Sequence, residues 1–305
     1  MSVLARIGVI GTGLMGLGVV RSLVRNGFEV HARDIRVDAQ ADAVAAGAWA
    51  ADSPASLAHR CDVVIVLVVD APQVETVLFA HDGAADALAR GSIVLLSSTV
   101  APAFVAAAAR RLGERGITLL DAPVSGGPQR AESGTLTMMI SGDSASIERC
   151  APVLAAISAR RFDVGTQPGV AATFKVLNNQ LAAANLAAGA EAMALAAHAG
   201  IDLRALLEVI NASSGASWIV NDRMRRLLDD DATVHAAMTL LAKDVGIAAE
   251  NAAGLDFDAP MMRAAHAAFA GAVNAGYAPR DDSALVDYTL RRDSERRSKE
   301  VAPSK

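Results

Sequence analysis

The segment IGVIGTGLMGLGVVRSLVRNGFEVHARD, at 7–34, constrains the fold more than any other part of the chain. A short β-branched strand leads directly into G-x-G-x-x-G, then an amphipathic helix, a second strand and an acid. In such a unit the glycines allow a tight turn, close approach of the backbone to a pyrophosphate, and close packing of helix on strand. The phosphates then meet the positive N-terminus of the helix. The segment predicts a dinucleotide-binding βαβ unit in preference to a glycine-rich turn without a ligand.

The loop and the acid also predict which cofactor binds. Asp34 ends the second strand, where its carboxylate can accept hydrogen bonds from an adenosine ribose and repel a 2′-phosphate, which favours NAD. Arg33 and Arg36 flank this acid and can attract a 2′-phosphate, so NADP stays open as the less favoured cofactor. We expect the cofactor to contact Gly11, Thr12, Gly13, Leu14, Met15, Gly16, Asp34 and Val69.

The pattern along the chain predicts two domains. Residues 1–165 alternate β-branched runs with amphipathic stretches, which is typical of an α/β Rossmann domain with a doubly wound, mostly parallel sheet. From Val170 to about Ala199 the strand pattern is absent and Gly189 is the only glycine, so a long helix begins an all-α domain over 166–292. A polar tail over 293–305 is expected to be disordered. The long Ala-rich helix favours a homodimer or homotetramer formed through the helical domain. Predicted strands are 6–10, 29–32, 63–69, 93–96, 118–120, 136–141 and 161–164.

Composition excludes several classes of function. The formal charge of −5 and a pI of about 5.7, with no basic stripe, argue against a nucleic-acid partner. The longest strand-like apolar run, VVIVLVV, is too short to span a bilayer, and the N-terminus lacks a signal-peptide layout. Two cysteines provide no disulfide framework, and the six histidines show no paired ligand spacing, so no metal is expected. These features predict a cytoplasmic protein without a membrane anchor.

Two further motifs carry candidate chemistry. Lysine occurs at only four positions, and one of them, Lys175, lies inside the long apolar helix, four residues before Asn179 on the same face. Such a pair can serve as an acid–base unit, or the lysine can reach solvent beside a polar seam with Asn178. DAPVSGG follows a predicted strand, and Ser125, Gly126 and Gly127 either bind a carboxylate or form an ordinary turn.

Taken together, the chain resembles the β-hydroxyacid dehydrogenase family from 6 to 288. The resemblance lies in GVIGTGLMG, DAPVSGG, KVLNN and LLAKDVGIAAE, in this order. It implies a Rossmann domain followed by a helical domain, and NAD- or NADP-linked oxidation of a small hydroxy acid. It also implies Lys175 as catalytic acid–base, Asn179 as substrate orienter, Ser125–Gly127 as carboxylate site, and Thr99 and Lys243 as contacts to the nicotinamide half of the cofactor. From periodicity alone, Lys243 would be a surface residue.

Three stretches, at 66–79, 214–231 and 274–286, are more similar to the L-threonate dehydrogenase branch than to 3-hydroxyisobutyrate dehydrogenase. Oxidation of a four-carbon sugar acid to its 2-oxo acid is therefore the favoured activity. 3-Hydroxyisobutyrate dehydrogenase, tartronate semialdehyde reductase and a non-catalytic NAD-binding sensor are the alternatives. The extra hydroxyls of a sugar acid need polar partners, and the candidates, which serve equally well as caps and turns, are Ser214, Ser217, Asn221 and Asp282.

Overall fold

The computed structural model describes residues 6–301, without the side chains of 299–301. The chain divides into two compact units, Met1–Lys175 and Val176–Lys305, so the division falls inside the long helix. The predicted boundary at 165 coincides with the end of the last strand, which is followed by that helix. The predicted tail begins within a helix that continues to Val301, and residues 302–305 lie outside the described part.

The first unit is built on a nine-stranded, mostly parallel sheet. Six parallel strands run in the order β3-β2-β1-β4-β5-β6, and the sheet continues with β8, which pairs with β6 and β7 antiparallel and with β9 parallel. The strands are β1 (Arg6–Ile10), β2 (Glu29–Arg33), β3 (Trp49–Ala50), β4 (Val63–Val66), β5 (Ile93–Leu96), β6 (Thr118–Asp121), β7 (Val124–Ser125), β8 (Leu136–Ser141) and β9 (Ser158–Gly165). This is the doubly wound sheet that the sequence predicts.

Helices cover both faces of this sheet. Leu23 and Leu154 belong to the core on one face, and Leu57, Leu78 and Leu112 belong to the core on the other. Strands buried on both faces explain the continuous apolar runs in the sequence. The helices are α1 (Leu14–Arg25), α2 (Val37–Ala45), α3 (Pro54–Ala58), α4 (Ala71–Phe79), α5 (Pro102–Gly113), α6 (Gly127–Ser133), α7 (Ser144–Arg149) and α8 (Ala151–Ile157).

One predicted strand is shorter than expected. The run at 63–69 is apolar throughout, but pairing with β1 and β5 ends at Val66. The backbone N–H of Val69 instead donates to Oε1 of Gln73 (3.1 Å), and Asp70 caps α4 by accepting from the N–H of Gln73 (2.9 Å). The last residues of the run therefore form the loop at the carboxyl end of β4.

The described residues of the second unit form helices and the turns between them, with one isolated antiparallel bridge between Ala237 and Asp281. The 29-residue helix α9 (Val170–His198), about 43 Å long, enters it. Four further α-helices, a kinked turn at Val273–Tyr277 and a short 3-10 helix, Asp282–Ala284, precede the last helix. Its core includes Leu186, Met193, Met224 and Phe269. The helices are α10 (Leu203–Asn211), α11 (Trp218–Leu228), α12 (Met238–Gly254), α13 (Pro260–Ala272) and α14 (Leu285–Val301). Within residues 6–301, no helix is long and apolar enough to cross a bilayer.

Candidate active site

The glycine loop has the shape that a dinucleotide phosphate requires. Gly11 adopts a φ of +90°, and a Cβ there would lie 2.5 Å from the carbonyl oxygen of Leu67. A Cβ on Gly16 would collide with the carbonyl oxygen of Gly11. At Gly13, by contrast, the nearest atom to an added Cβ is Nη2 of Arg36, 3.9 Å away. The first and third glycines thus permit the fold itself, whereas the second leaves open space over the backbone.

The N-terminus of α1 can receive negative charge. Gly13 is its N-cap and has no side chain with which to cap it, and the first intrahelical bond runs from the N–H of Leu17 to the carbonyl of Gly13 (2.8 Å). The amides of Leu14, Met15 and Gly16 precede that bond and belong to an uncharged first turn. Amides in this position bind phosphate, so the loop fits the predicted cofactor.

Asp34 is held against the same loop. Its Oδ2 accepts from the N–H of Thr12 (2.7 Å), its Oδ1 accepts from the N–H of Arg36 (2.9 Å), and its side chain is 11% exposed. A carboxylate offers about four acceptor sites, so Asp34 retains capacity for a ribose hydroxyl. The guanidinium of Arg33 donates to Oε1 of Gln40 (3.2 Å), and the guanidinium of Arg36 lies beside the loop at Gly13.

Val69 and Thr99 lie at the carboxyl edge of the sheet. Val69 is 48% exposed in the loop after β4, and Thr99 follows the buried Ser97 and Ser98 at the end of β5. Because β1, β4 and β5 are parallel neighbours, their following loops share the edge where ligands of open α/β sheets bind. Both residues therefore occupy the edge on which the glycine loop lies.

The predicted carboxylate loop connects β7 to α6. Gly126 and Gly127 have φ values of +134° and +76°, which favour glycine. The following helix packs closely on α1, since a Cβ on Gly18 would lie 2.7 Å from the Cβ of Ala131. The loop that carries Ser125 is thus tied to the helix that begins at the glycine loop.

The first residue of DAPVSGG anchors the start of α9. Asp121 is 1% exposed, and its Oδ2 accepts from the backbone N–H groups of Gly169 (2.9 Å) and Ala172 (2.8 Å). Oγ of Ser141 donates to the same oxygen (3.3 Å) and accepts from the N–H of Ala171 (3.0 Å). Burial raises the pKa of Asp121, although these hydrogen bonds favour its charged form. Sequence reasoning assigned Asp121 no role.

Lys175 follows this anchor by one helical turn. It is 8% exposed, as is Asn179 four residues later. Burying an ammonium is costly unless it is paired, so a lysine at this depth needs a partner in the protein or in a bound ligand. The burial disfavours the alternative in which Lys175 reaches bulk solvent, and its catalytic role stays a prediction.

In the second unit, two polar side chains contact Asp244, and a third contacts one of those two. Oδ2 of Asp244 accepts from Nδ2 of Asn179 (2.6 Å), and its Oδ1 lies 2.8 Å from Nζ of Lys243. Nδ2 of Asn178 in turn donates to Oδ1 of Asn179 (3.1 Å). Asp244 is another residue that sequence reasoning missed. The signal was present, because Asp244 lies three residues after Leu241 and so on the buried face of α12.

The four residues suggested for sugar hydroxyls behave differently. Asp282 is 1% exposed, and Arg223 holds both of its oxygens (2.6 and 3.1 Å), so this ion pair accounts for it. Oδ1 of Asn221 accepts from Asn211 and Arg225, both at 2.7 Å. Ser214 is exposed, and Ser217 is the N-cap residue of α11.

Comparison with known proteins identifies the family. Residues 6–165 match the model of the NAD binding domain of 6-phosphogluconate dehydrogenase, and residues 169–289 match that of the NAD-binding domain of NADP-dependent 3-hydroxyisobutyrate dehydrogenase. The chain is 45% identical to an L-threonate dehydrogenase of Cupriavidus necator over 92% of this chain and 94% of that protein. It is 41% identical to the L-threonate dehydrogenase of Escherichia coli K12, over 92% of this chain and 93% of that protein. A crystal structure of 3-hydroxyisobutyrate dehydrogenase from Salmonella typhimurium matches with a TM-score of 0.87 and 39% identity, over 93% of this chain and 99% of that one. With both halves matched in this way, the chain belongs to the β-hydroxyacid dehydrogenase family of oxidoreductases.

Proposed function

We propose that the protein oxidises L-threonate to its 2-oxo acid with NAD. The observation that carries this proposal is Lys175, a buried lysine on a helix whose first turn is fixed to the sheet by Asp121. The likeness to L-threonate dehydrogenases, at up to 45% identity, supports the substrate. Asp34 beside the open Gly13 supports NAD, because its carboxylate disfavours a 2′-phosphate at the ribose.

Each residue has a defined task in this reaction. Ser125, Gly126 and Gly127 hold the substrate carboxylate, and Asn179 orients the reacting hydroxyl. Lys175 accepts the hydroxyl proton on a neutral Nζ and becomes an ammonium as the C–O single bond becomes a carbonyl. Bound NAD supplies the acceptor for the hydride that leaves the same carbon. Orientation carries much of the rate, because the cofactor supplies the hard chemistry.

The surface of α9 supports self-association. Phe174, Leu177 and Leu181 are 50%, 51% and 59% exposed, and their spacing puts them on one face of the helix. We propose that this face is covered in a homodimer or homotetramer. Leu181→Glu should then lower the molar mass measured by light scattering, with an unchanged mass contradicting the proposal. A cytoplasmic location agrees with the two buried free cysteines, Cys61 and Cys150.

The test is NADH formation with L-threonate, D-threonate, L-erythronate, D-glycerate and 3-hydroxyisobutyrate, each with NAD and NADP. Tartronate semialdehyde is run in the reducing direction. Lys175→Ala should lower kcat for L-threonate by about 10² or more. The Kd of this variant for NADH, measured by fluorescence titration, should stay within about twofold of the wild-type value. Gln180→Ala is the matched control on the same helix and should keep wild-type kcat. If another acid is turned over faster than L-threonate, that acid is the substrate. If NADH binds but no acid is turned over, the NAD-binding sensor is favoured.

A further inference from the structure

The carboxylate of Asp244 joins two residues that were assigned separate tasks. It is 9% exposed and contacts the amide of Asn179 through one oxygen and the ammonium of Lys243 through the other. Asn179 stands on α9 and Lys243 on α12, so a single buried carboxylate lies between a predicted substrate residue and a predicted cofactor residue.

The first contact decides what Asn179 can offer a ligand. A carboxylate only accepts hydrogen bonds, so the NH₂ group of Asn179 must face Asp244. Nδ2 of Asn178 donates to the amide oxygen from the other side, in agreement with this orientation. The side chain of Asn179 therefore keeps a single orientation, in which one N–H is committed to Asp244 and the oxygen already accepts once.

The second contact explains the exposure of Lys243. Adjacent residues on a helix do not face each other, and Lys243 lies off the apolar stripe of α12. Its side chain is nevertheless only 23% exposed, because Nζ turns toward the buried face, where it meets Oδ1 of Asp244 at 2.8 Å. An ammonium held by a buried carboxylate keeps its position, whereas a free lysine chain samples many rotamers.

We infer that Asp244 is a positioning residue that sets the amide of Asn179 for the acid and the ammonium of Lys243 for the cofactor. The inference rests on the proposed function, since it deepens the roles of those two residues. In this role Asp244 acts through these two side chains. Its charge matters to the arrangement, because one oxygen accepts a hydrogen bond from the amide of Asn179 while the other forms an ion pair, without a hydrogen bond, with the ammonium of Lys243.

Asp244→Asn is the decisive variant. An asparagine has one accepting oxygen, so it can serve Asn179 or Lys243 but sets its own NH₂ against the other donor. Glu250→Gln makes the same change of charge at an exposed position of the same helix and serves as the control. Both proteins are assayed for kcat and KM with L-threonate and NAD, for NADH affinity by fluorescence, and for thermal unfolding.

Asp244→Asn should lower kcat/KM for L-threonate about tenfold to a hundredfold, in keeping with the loss of a charged hydrogen bond. It should also weaken NADH binding severalfold, while Glu250→Gln matches wild type. Two double-mutant cycles assign the effects on the acid and on NADH binding to Asn179 and Lys243. In an Asn179→Ala background Asp244→Asn should no longer affect the acid, and in a Lys243→Met background it should no longer affect NADH binding.

Three outcomes would overturn the inference: wild-type kinetics in Asp244→Asn, a fall in melting temperature without any kinetic change, or effects that add fully in both cycles. Failure of the proposed function looks different. If wild type oxidises none of the acids, the substrate is wrong, yet the NADH cycle with Lys243 still tests whether Asp244 positions the ammonium.

Discussion

Replacing Asp121 tests how Lys175, the proposed catalytic residue, is held in place. In Asp121→Leu the backbone N–H groups of Gly169 and Ala172 lose their acceptor in a buried place, as does the hydroxyl of Ser141. Each orphaned backbone donor costs about 1–3 kcal/mol, so the free energy of unfolding should fall by about 2–6 kcal/mol. Since small domains are stable by only about 5–15 kcal/mol, a loss of this size is easily measured by urea denaturation.

Asp121→Asn separates the hydrogen bonds from the charge. Both backbone donors meet the same oxygen, Oδ2, so an amide oxygen placed there can accept both of them. The free energy of unfolding should therefore stay within about 1.5 kcal/mol of wild type. The turnover of Asp121→Leu should also fall, because Lys175 follows Ala172 within one turn of α9. Equal stability of the leucine and asparagine variants would refute the anchoring role.

The same pair of proteins gives a pH dependence with a definite sign. The pKa of Asp121 is raised above its ordinary value of 3.8 because the side chain is buried. Between pH 3.8 and the higher pKa of Asp121 in the folded protein, the folded state binds more protons at this site than the unfolded state. The stability that Asp121 contributes falls as pH rises through that window. The stability of Asp121→Asn relative to wild type should therefore rise with pH, and a constant or falling difference would contradict the argument.

Three more predictions concern single features of the first unit. Gly16→Ala should abolish NADH binding in fluorescence titration, because its Cβ would collide with the carbonyl of Gly11, and retained binding would contradict the loop geometry. The guanidinium of Arg36 lies beside the glycine loop, so Arg36→Gln should remove residual activity with NADP. The same variant should change kcat/KM with NAD by less than about threefold. Unchanged activity with NADP would show that Arg36 does not contact a 2′-phosphate. Burial raises the pKa of Cys61 and of Cys150 to about 12. Both thiols should therefore stay unreactive toward a chromogenic disulfide reagent at pH 8 in the native protein and react in urea. Labelling of the native protein would contradict this prediction.

The sequence alone predicted the parts whose chemistry is local. The loop from Gly11 to Gly16 follows its strand directly, and three glycines at fixed spacing leave few conformations other than the one observed. The division into an α/β unit and a helical unit follows from alternating and continuous hydrophobic periods, which are short-range properties. Lys175 stood out because a cation inside a long apolar helix contradicts the pattern around it.

Only the tertiary structure decided which polar groups meet across the chain. Asp121 accepts from amides 48 and 51 residues later, and Asn179 donates to a carboxylate 65 residues later. These contacts depend on how helices and strands pack, which periodicity does not encode for pairs so far apart. The same limit explains why Lys243 looked like a surface residue, since only the burial of Asp244 beside it shows where its ammonium turns. Residue type and spacing thus determine the local machinery, and packing determines which buried charges hold it in place.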